Sequence, residues 1–289
     1  THMLAGTAYA KPMTAEKELT YTVQPGGRMN GRIRVPGDKS ISHRSIMLGS
    51  IAEGVTEVTG FLEGEDALAT LQAFRDMGVV IEGPERGRVR VHGVGLHGLK
   101  PAPGPLYVGN SGTSMRLLSG ILSAQPFDTV MTGDASLAKR PMERIAKPLR
   151  LMGADIQTTG ERGTPPVSVH GVSTAAKGGL KGIHYDMPVA SAQVKSGVLL
   201  AGLWADGETS VTEPAPTRDH TERMLKGFGY EVKVQGATAT RRGGGKLTAT
   251  KIDVPSDISS AAFFLVSASI APNSDLTLGP VGLKPTRAG

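Results

Sequence analysis

An α/β fold of repeated strand–turn–helix units is predicted by three features of the sequence. Four times, a short extended run ends in a Pro, Gly, Ser or Asn turn and opens into an apolar helical stretch. Helical runs ending in Gly and then a strand recur as RDMGVVIE (75–82), LRLMGADIQ (150–157) and LKGFGYEV (225–232), so that Gly78, Gly153 and Gly229 lie 75 and 76 residues apart. Upstream of each lies a further strand–helix piece. Strands alternating with helices indicate an α/β architecture, and a fixed period indicates repeats.

The elements follow in order. Thr1-His2-Met3 reads as a cloning scar, and residues 4–20, with Lys11, Glu16, Lys17 and Glu18 and no long apolar core, read as a loose tail, not a signal peptide. The first unit runs from Ile33-Arg34-Val35 into PGDKSISHRS (36–45), then through GVTEVTGFLEGEDALATLQAF to the Gly78 turn. The second runs from Leu106-Tyr107-Val108 into GNSGTSMRLLS (109–119), then FDTVMTGDASLAKRPMERIAKPL and Gly153. The third runs from Tyr185-Asp186-Met187 into PVASAQVKSGVLL (188–200), then GETSVTEPAPTRDHTERML and Gly229. RRGGGK (241–246) reads as a surface hairpin turn, since no helix follows to make it a phosphate loop. A fourth unit opens with Ile252-Asp253-Val254 into PSDISSAAFFL (255–265) and reads as cut in mid-pattern at Gly289, with a helix expected after Thr286.

Composition narrows the function classes. The formal charge of +6 is mild and scattered, and Trp 1, Tyr 5 and Phe 6 leave few rings to stack bases. With no clustered basic face or reading motif, nucleic acid is not an expected partner; an acidic small metabolite fits the surplus better. Zero cysteines exclude disulfides and thiolate metal sites from this sequence and fit a reducing cytoplasm. The longest near-apolar stretch, AAFFLVSASIAP (261–272), is too short to span a bilayer, so no membrane is expected.

The turns carry the candidate chemistry. A Gly/Ser-rich turn at a helix N-terminus presents free N–H groups and the positive end of the helix dipole, an anion seat. Lys39, Ser40 and Arg44 add an ammonium, a hydroxyl and a guanidinium to the first such seat. Taken alone, Ser40 or Ser42 is equally an N-cap, and Lys39 and Arg44 are equally solvated charges. In the second turn, Gly112 leaves room for a ligand near the backbone, and Asn110 and Thr113 offer hydrogen bonds. The third places Ser191 and Gln193 at a helix start. Lys139 and Arg140 precede a helix expected to begin near Pro141, where two cations oppose the dipole unless an anion sits between them. Arg218 holds the matching point of the next unit, and Asp219 reads as a helix cap.

Together PGDKSxSHR, GNSGTSMRLLSG, DASLxKRPMxRxxxPLxxMGA and SAQVKSxxLLAGL closely resemble the 5-enolpyruvylshikimate-3-phosphate synthase family, from about Val23 to Gly289. The resemblance implies a two-lobed enolpyruvyl transferase fold of βαβαββ units, an inside-out α/β barrel with helices packed within each lobe and one site in the cleft. On that reading residues 37–252 form one complete lobe of three repeats, and residues 21–36 with 253–289 form part of the other.

The resemblance also implies roles. Lys39 contacts both substrates; Ser40 and Arg44 hold shikimate 3-phosphate; Gly112 and Arg140 line the phosphoenolpyruvate pocket, with Asn110 and Thr113 beside them. Ser191 and Gln193 bind the shikimate phosphate and ring. Ala192 replaces a Ser common in relatives, which puts one phosphate contact in question, and Arg218 fits a branch in which an Arg meets that phosphate. The implied enzyme is a monomeric transferase of the shikimate pathway, using no metal or organic cofactor. By the resemblance its proton-transfer Asp and Glu are expected beyond Gly289, and Asp257 does not fit that motif, so the chain alone is expected to be inactive. Two other readings share the fold: a non-catalytic anion-binding module, and the UDP-sugar enolpyruvyl transferase, which would show Asn at position 40 and usually a Cys in the loop occupied by LAKRP.

Overall fold

The computed structural model describes residues 20–172 and 179–283; the tail expected over 4–20, apart from Thr20, and the helix expected after Thr286 lie outside the described residues. The first unit comprises β1 (Asn30–Ile33), α1 (Lys39–Ile51), β2 (Glu53–Thr59), α2 (Glu65–Asp76), β3 (Val80–Glu85) and β4 (Arg88–Val94). The second comprises β5 (Leu106–Tyr107), α3 (Gly112–Leu122), β6 (Thr129–Thr132), α4 (Glu143–Leu151), β7 (Asp155–Thr158) and β8 (Val167–His170). The third comprises β9 (His184–Asp186), α5 (Ala192–Ala201), β10 (Glu208–Thr212), α6 (His220–Gly227), β11 (Lys233–Gln235) and β12 (Thr238–Arg242). Then follow β13 (Lys251–Asp253), α7 (Ile258–Ile270) and β14 (Asp275–Leu278). The period is real: Gly78, Gly153 and Gly229 each take positive φ (88°, 98° and 77°) just past α2, α4 and α6, a turn that only glycine adopts without strain.

Three four-stranded sheets share one topology. Their orders are β13-β2-β4-β3, β5-β6-β8-β7 and β9-β10-β12-β11. In each, the first pair is parallel and the other two pairs are antiparallel. This corrects the assignment of strands to units. The strand leading into α1 does not join the first sheet; β1 pairs instead with β14 in a separate two-stranded sheet, Asn30 opposite Asp275. The place equivalent to β5 and β9 is taken by β13, which arrives from beyond the third unit and pairs Ile252 with Val58. The three sheets stay separate and do not close into one barrel. RRGGGK is likewise not a hairpin: β12 ends at Arg242, and the chain then crosses to the first sheet, where Lys246 pairs with Glu53 at 3.4 Å.

The helices sit inside. From Ser42 to Ile51 every residue of α1 is buried, as is every residue of α5 from Val194 to Ala201. Such interior helices are apolar or small over most of their surface, with His43, Arg44 and Lys195 as the buried exceptions. Several of their serines enter the core because the hydroxyl donates to the carbonyl four residues back: Ser45 to Ile41 (2.8 Å), Ser50 to Ile46 (2.6 Å) and, in α3, Ser119 to Met115 (2.7 Å). Glycines let α3 and α5 touch backbone to backbone; a Cβ on Gly120 would lie 2.1 Å from the Gly197 carbonyl oxygen. Strands alternate buried and exposed residues, as in β4, so each sheet covers the helices with one face and meets solvent with the other.

Helix α7 differs. Of its residues only Ala261 is buried, while Phe263 and Ile270 are 77% and 78% exposed.

Candidate functional site

The turns before α1, α3 and α5 point their helix N-termini toward one region. At the first, Asp38 is the N-cap, its Oδ1 accepting from the Ile41 N–H at 2.9 Å. This displaces both serine candidates for that cap: Ser42 accepts from the Leu62 N–H at 3.0 Å, and Ser40 is left facing a cleft. Lys39 begins the helix, exposed, and ion-pairs with Asp66 from the start of α2. Burial alone would raise the Asp66 carboxyl, but hydrogen bonds from Lys39 and from the Asn110 N–H (3.1 Å) hold it below the usual carboxylate range. Asp66 thus ties the first turn to the second.

Arg44 is not a surface cation. It is 3% exposed and donates from Nε to Thr221 Oγ1 (2.8 Å), from Nη1 to the Ser40 carbonyl (3.0 Å) and from Nη2 to Ser196 Oγ (3.1 Å). Burial lowers its pKa to about 10, against the attraction of Glu222 and Asp38 and helped by repulsion from Arg218. The guanidinium therefore joins α1, α5 and α6 and reaches the cleft by its edge.

At the second turn Ser111 caps α3, accepting from the Ser114 N–H at 3.0 Å. Arg140 Nη2 donates to Asn110 Oδ1 at 2.9 Å. The helix expected near Pro141 starts at Glu143, with Met142 as N-cap, so Lys139 and Arg140 stand further from its dipole than the sequence suggests. Gly112 lies under two guanidiniums: a Cβ there would be 2.9 Å from Arg116 Nη1 and 3.1 Å from Arg140 Nη1.

At the third turn Ser191 caps α5, accepting from the Val194 N–H at 3.2 Å. Gln193 bridges the two halves of the site: its Nε2 donates to Thr113 Oγ1 at 2.8 Å, and its Oε1 accepts from Arg116. Beside it a cleft of about 560 Å³ is lined by Ser40, Arg44, Thr113, Ser191, Ala192, Gln193, Thr217, Arg218 and His220. Arg218 is exposed there with no hydrogen bond or ion pair to any described residue. Asp219 is the N-cap residue of α6, but its side chain caps nothing and pairs with Arg223 at 2.5 Å.

The candidates therefore form two adjoining groups. Ser40, Arg44, Thr113, Ser191, Ala192, Gln193 and Arg218 share the cleft, while Lys39, Asn110, Gly112 and Arg140 lie on the Asp66 and Arg116 side, joined to it through Gln193. The second group is strongly cationic. Burial, then repulsion from Arg140 and Arg144, lowers the Arg116 pKa, a strain that a bound anion relieves.

Sequence reasoning passed over Arg116, Asp66 and His43. Arg116 carried a signal: it stands four residues after Gly112 in a helix, hence on the same face one turn on. Asp66 carried none, since EGEDALATL reads only as an acidic helix start. His43, fully buried behind the turns, hydrogen-bonds Thr70 Oγ1 (2.9 Å) and Ser114 Oγ (3.1 Å) through Nδ1. Burial and the nearby charges of Lys39 and Arg44 lower its pKa to about 3, so the ring is neutral. Among the described residues, no group of three or more His, Asp and Glu is arranged to hold a metal, and no helix is long and apolar enough to cross a membrane.

Comparison with known proteins bears on this geometry. The EPSP synthase (3-phosphoshikimate 1-carboxyvinyltransferase) family model matches residues 23–289. A 3-phosphoshikimate 1-carboxyvinyltransferase of Methylococcus capsulatus is 66% identical over 274 residues, covering 95% of this chain and 61% of the relative. That of Alkalilimnicola ehrlichii is 63% identical over 271 residues, covering 94% and 59%. A solved EPSP synthase from Acinetobacter baumannii superposes with a TM-score of 0.85 at 70% identity, over 91% of this chain and 58% of that one. The chain thus spans about three-fifths of the length of the curated relatives it matches.

Proposed function

This chain belongs to the EPSP synthase family, and from that premise we propose that the protein transfers the enolpyruvyl group of phosphoenolpyruvate to the 5-hydroxyl of shikimate 3-phosphate. In that reaction the hydroxyl oxygen adds to C2 of phosphoenolpyruvate while C3 takes a proton. The adduct then loses inorganic phosphate and a C3 proton to give the enol ether. Both substrates are anions, and the chemistry asks for fixed cations around developing charge.

The observation that carries the reading is the bridge of Gln193 between two cationic groups. On one side Ser191, Gln193, Arg218 and the edge of Arg44 suit a phosphorylated ring, with Ser40 and Thr113 beside them. On the other, Arg140 with its contact to Asn110, and the Arg116 and Arg140 guanidiniums over Gly112, suit the phosphate and carboxylate of phosphoenolpyruvate, with Lys39 on the same side. Ala192 has no hydroxyl, so Ser191 and Arg218 carry that corner of the phosphate seat. Residues 37–252 are read as one lobe, and residues 21–36 with 253–289 as part of a second that buries α7. A cytoplasmic monomer fits the same reading.

Calorimetric titration of this chain with shikimate 3-phosphate tests it. Weak binding is expected without phosphoenolpyruvate, falling with added salt because Arg218 and Lys39 are exposed to screening. Arg218→Ala and Arg44→Ala should each weaken it. Undetectable binding at millimolar ligand, or binding untouched by both substitutions, rejects this placement of the phosphate.

A further inference from the structure

Behind the cleft, Lys195 is buried to 2% exposure inside α5, with Nζ 3.0 Å from Glu213 Oε2 and 3.0 Å from Glu222 Oε2. A lysine so far from water requires a reason, because burial penalises its charge unless partners are fixed around it. Glu213 stands at the start of the segment running from β10 to α6 and also accepts a hydrogen bond from Thr217 Oγ1, next to Arg218. Glu222 lies in the first turn of α6. Lys195 therefore grips both ends of the segment that carries Arg218.

The neighbouring row repeats the link. Ser196 and Thr221 hydrogen-bond each other at 2.7 Å, and both receive Arg44. Glu222 in turn attracts the Arg44 guanidinium. Lys195 and Arg44 set against Glu213 and Glu222 make two buried cations and two anions, neutral without any ligand. Arg218 lies outside this balance, as the cleft's cation with no partner among the described residues.

We propose that Lys195 is a positioning residue that selects for the phosphorylated ligand: by holding Glu213 and Glu222 it fixes the 213–219 segment and aims Arg218 into the cleft. The inference rests on the proposed reading that Arg218 meets a phosphate. A lysine that merely fills the core would affect every ligand of the cleft alike. One that aims Arg218 affects only the ligand Arg218 recognises.

The test compares shikimate 3-phosphate with unphosphorylated shikimate in binding titrations of the protein, with melting curves to verify folding. Lys195→Met should weaken the phosphorylated ligand roughly tenfold, the loss of one charge-assisted contact, and leave shikimate within about twofold. Glu213→Ala keeps the Lys195–Glu222 pair and should show the same selective loss, so it carries the test if Lys195→Met does not fold. Combining either change with Arg218→Ala should add little to Arg218→Ala alone, since all act through one contact. Equal losses for both ligands, or losses that add fully in the double variants, overturn the positioning role while leaving the phosphate site standing. No change of preference in Arg218→Ala alone instead overturns the phosphate reading, and the proposal with it.

Discussion

Asp38 and Asp257 occupy reciprocal positions: the Asp38 N–H donates to the Pro255 carbonyl at 2.8 Å, and the Asp257 N–H donates to the Pro36 carbonyl at 2.9 Å. Each carboxylate also caps its own helix, Asp38 at the Ile41 N–H and Asp257 at the Ser260 N–H. Ser256 adds a hydroxyl bond to the Val35 carbonyl at 3.0 Å. The two stretches share one pattern, VPGDKS and VPSDIS (35–40 and 254–259). The passages into α1 and into α7 therefore run side by side and hold each other, so the start of α1, with Lys39 and Ser40, is coupled to the direction in which α7 leaves.

The two caps should differ in consequence. Losing an N-cap side chain costs about 1 kcal/mol. Asp38→Ala should lower the global unfolding free energy by that amount, because α1 is buried in the core. Asp257→Ala should leave it nearly unchanged and should speed amide exchange in α7, where Ala261 alone is fully buried. Hydrogen exchange read over minutes to hours, with a denaturant melt, separates the two. Protection in residues 258–278 equal to that of α1 and α5 would mean that α7 is part of the lobe's cooperative unit.

Acid should weaken the fold through His43. Its folded pKa is about 3 against an ordinary 6.5, so the unfolded chain takes up a proton between these values and the native chain does not. Stability is therefore full above about pH 6.5 and is lost as pH falls toward 3, by up to ~1.4 kcal/mol per pH unit. Asp66, Glu82, Glu143 and Asp253 are held below their ordinary values, so their losses begin only under about pH 4.5. Urea melts at pH 6.5 and 4.5 should differ by roughly 2–3 kcal/mol in the unaltered chain. The difference should shrink in His43→Gln, which keeps polar contact with Thr70 and Ser114 without titrating. An unchanged difference would place the acid sensitivity elsewhere.

What the sequence disclosed follows from the range of each interaction. The helix-terminal glycines and the strand–turn–helix openings are local, and β5, β9 and β13 fall within a residue of where the pattern put them. The exchange of β1 for β13 is not local: both precede a V-P-x-D turn, and only pairing with β2 or β14 tells them apart. The same limit applies to the site. Residues gathered by the turns themselves, such as Ser191, Gln193 and Thr113, were legible. The burial of Arg44 was not, because its three acceptors come from α1, α5 and α6. Asp38 took the cap from Ser40 and Ser42 by standing one residue before the helix, a boundary that pattern alone leaves open.

The α3–α5 contact should be intolerant of a single methyl group. On Gly120 it would fall 2.1 Å from the Gly197 carbonyl oxygen, a backbone atom that moves only with its helix. On Gly197 it would meet Ile145 Cδ1 at 2.6 Å, the end of a side chain that can turn aside, and the Arg116 carbonyl oxygen at 2.9 Å. Gly120→Ala should thus destabilise by about 3 kcal/mol or more and Gly197→Ala by about 1–2 kcal/mol. Melting curves of the two variants give the order, and the reverse order would show that α3 and α5 separate easily.

Gly112→Ala tests the second half of the site. Its Cβ would press on Arg116 Nη1 and Arg140 Nη1, both ends of flexible side chains, so the backbone should hold while the guanidiniums retreat. Arg140 would then loosen its 2.9 Å bond to Asn110, and the space over the turn would shrink by a methyl group. If glyphosate occupies the phosphoenolpyruvate side, as the family resemblance implies, it has to fit against that methyl group. A crowding penalty of about 1–3 kcal/mol corresponds to a loss of inhibition of roughly 5- to 150-fold. On the proposed reading, which puts shikimate 3-phosphate beyond Gln193, phosphoenolpyruvate should lose less and shikimate 3-phosphate should be nearly unaffected. Inhibition and substrate titrations on the unaltered protein and on Gly112→Ala decide the matter. Equal glyphosate sensitivity in both would move the inhibitor away from Gly112, and a matching loss for shikimate 3-phosphate would mean that the two halves of the site are not separate.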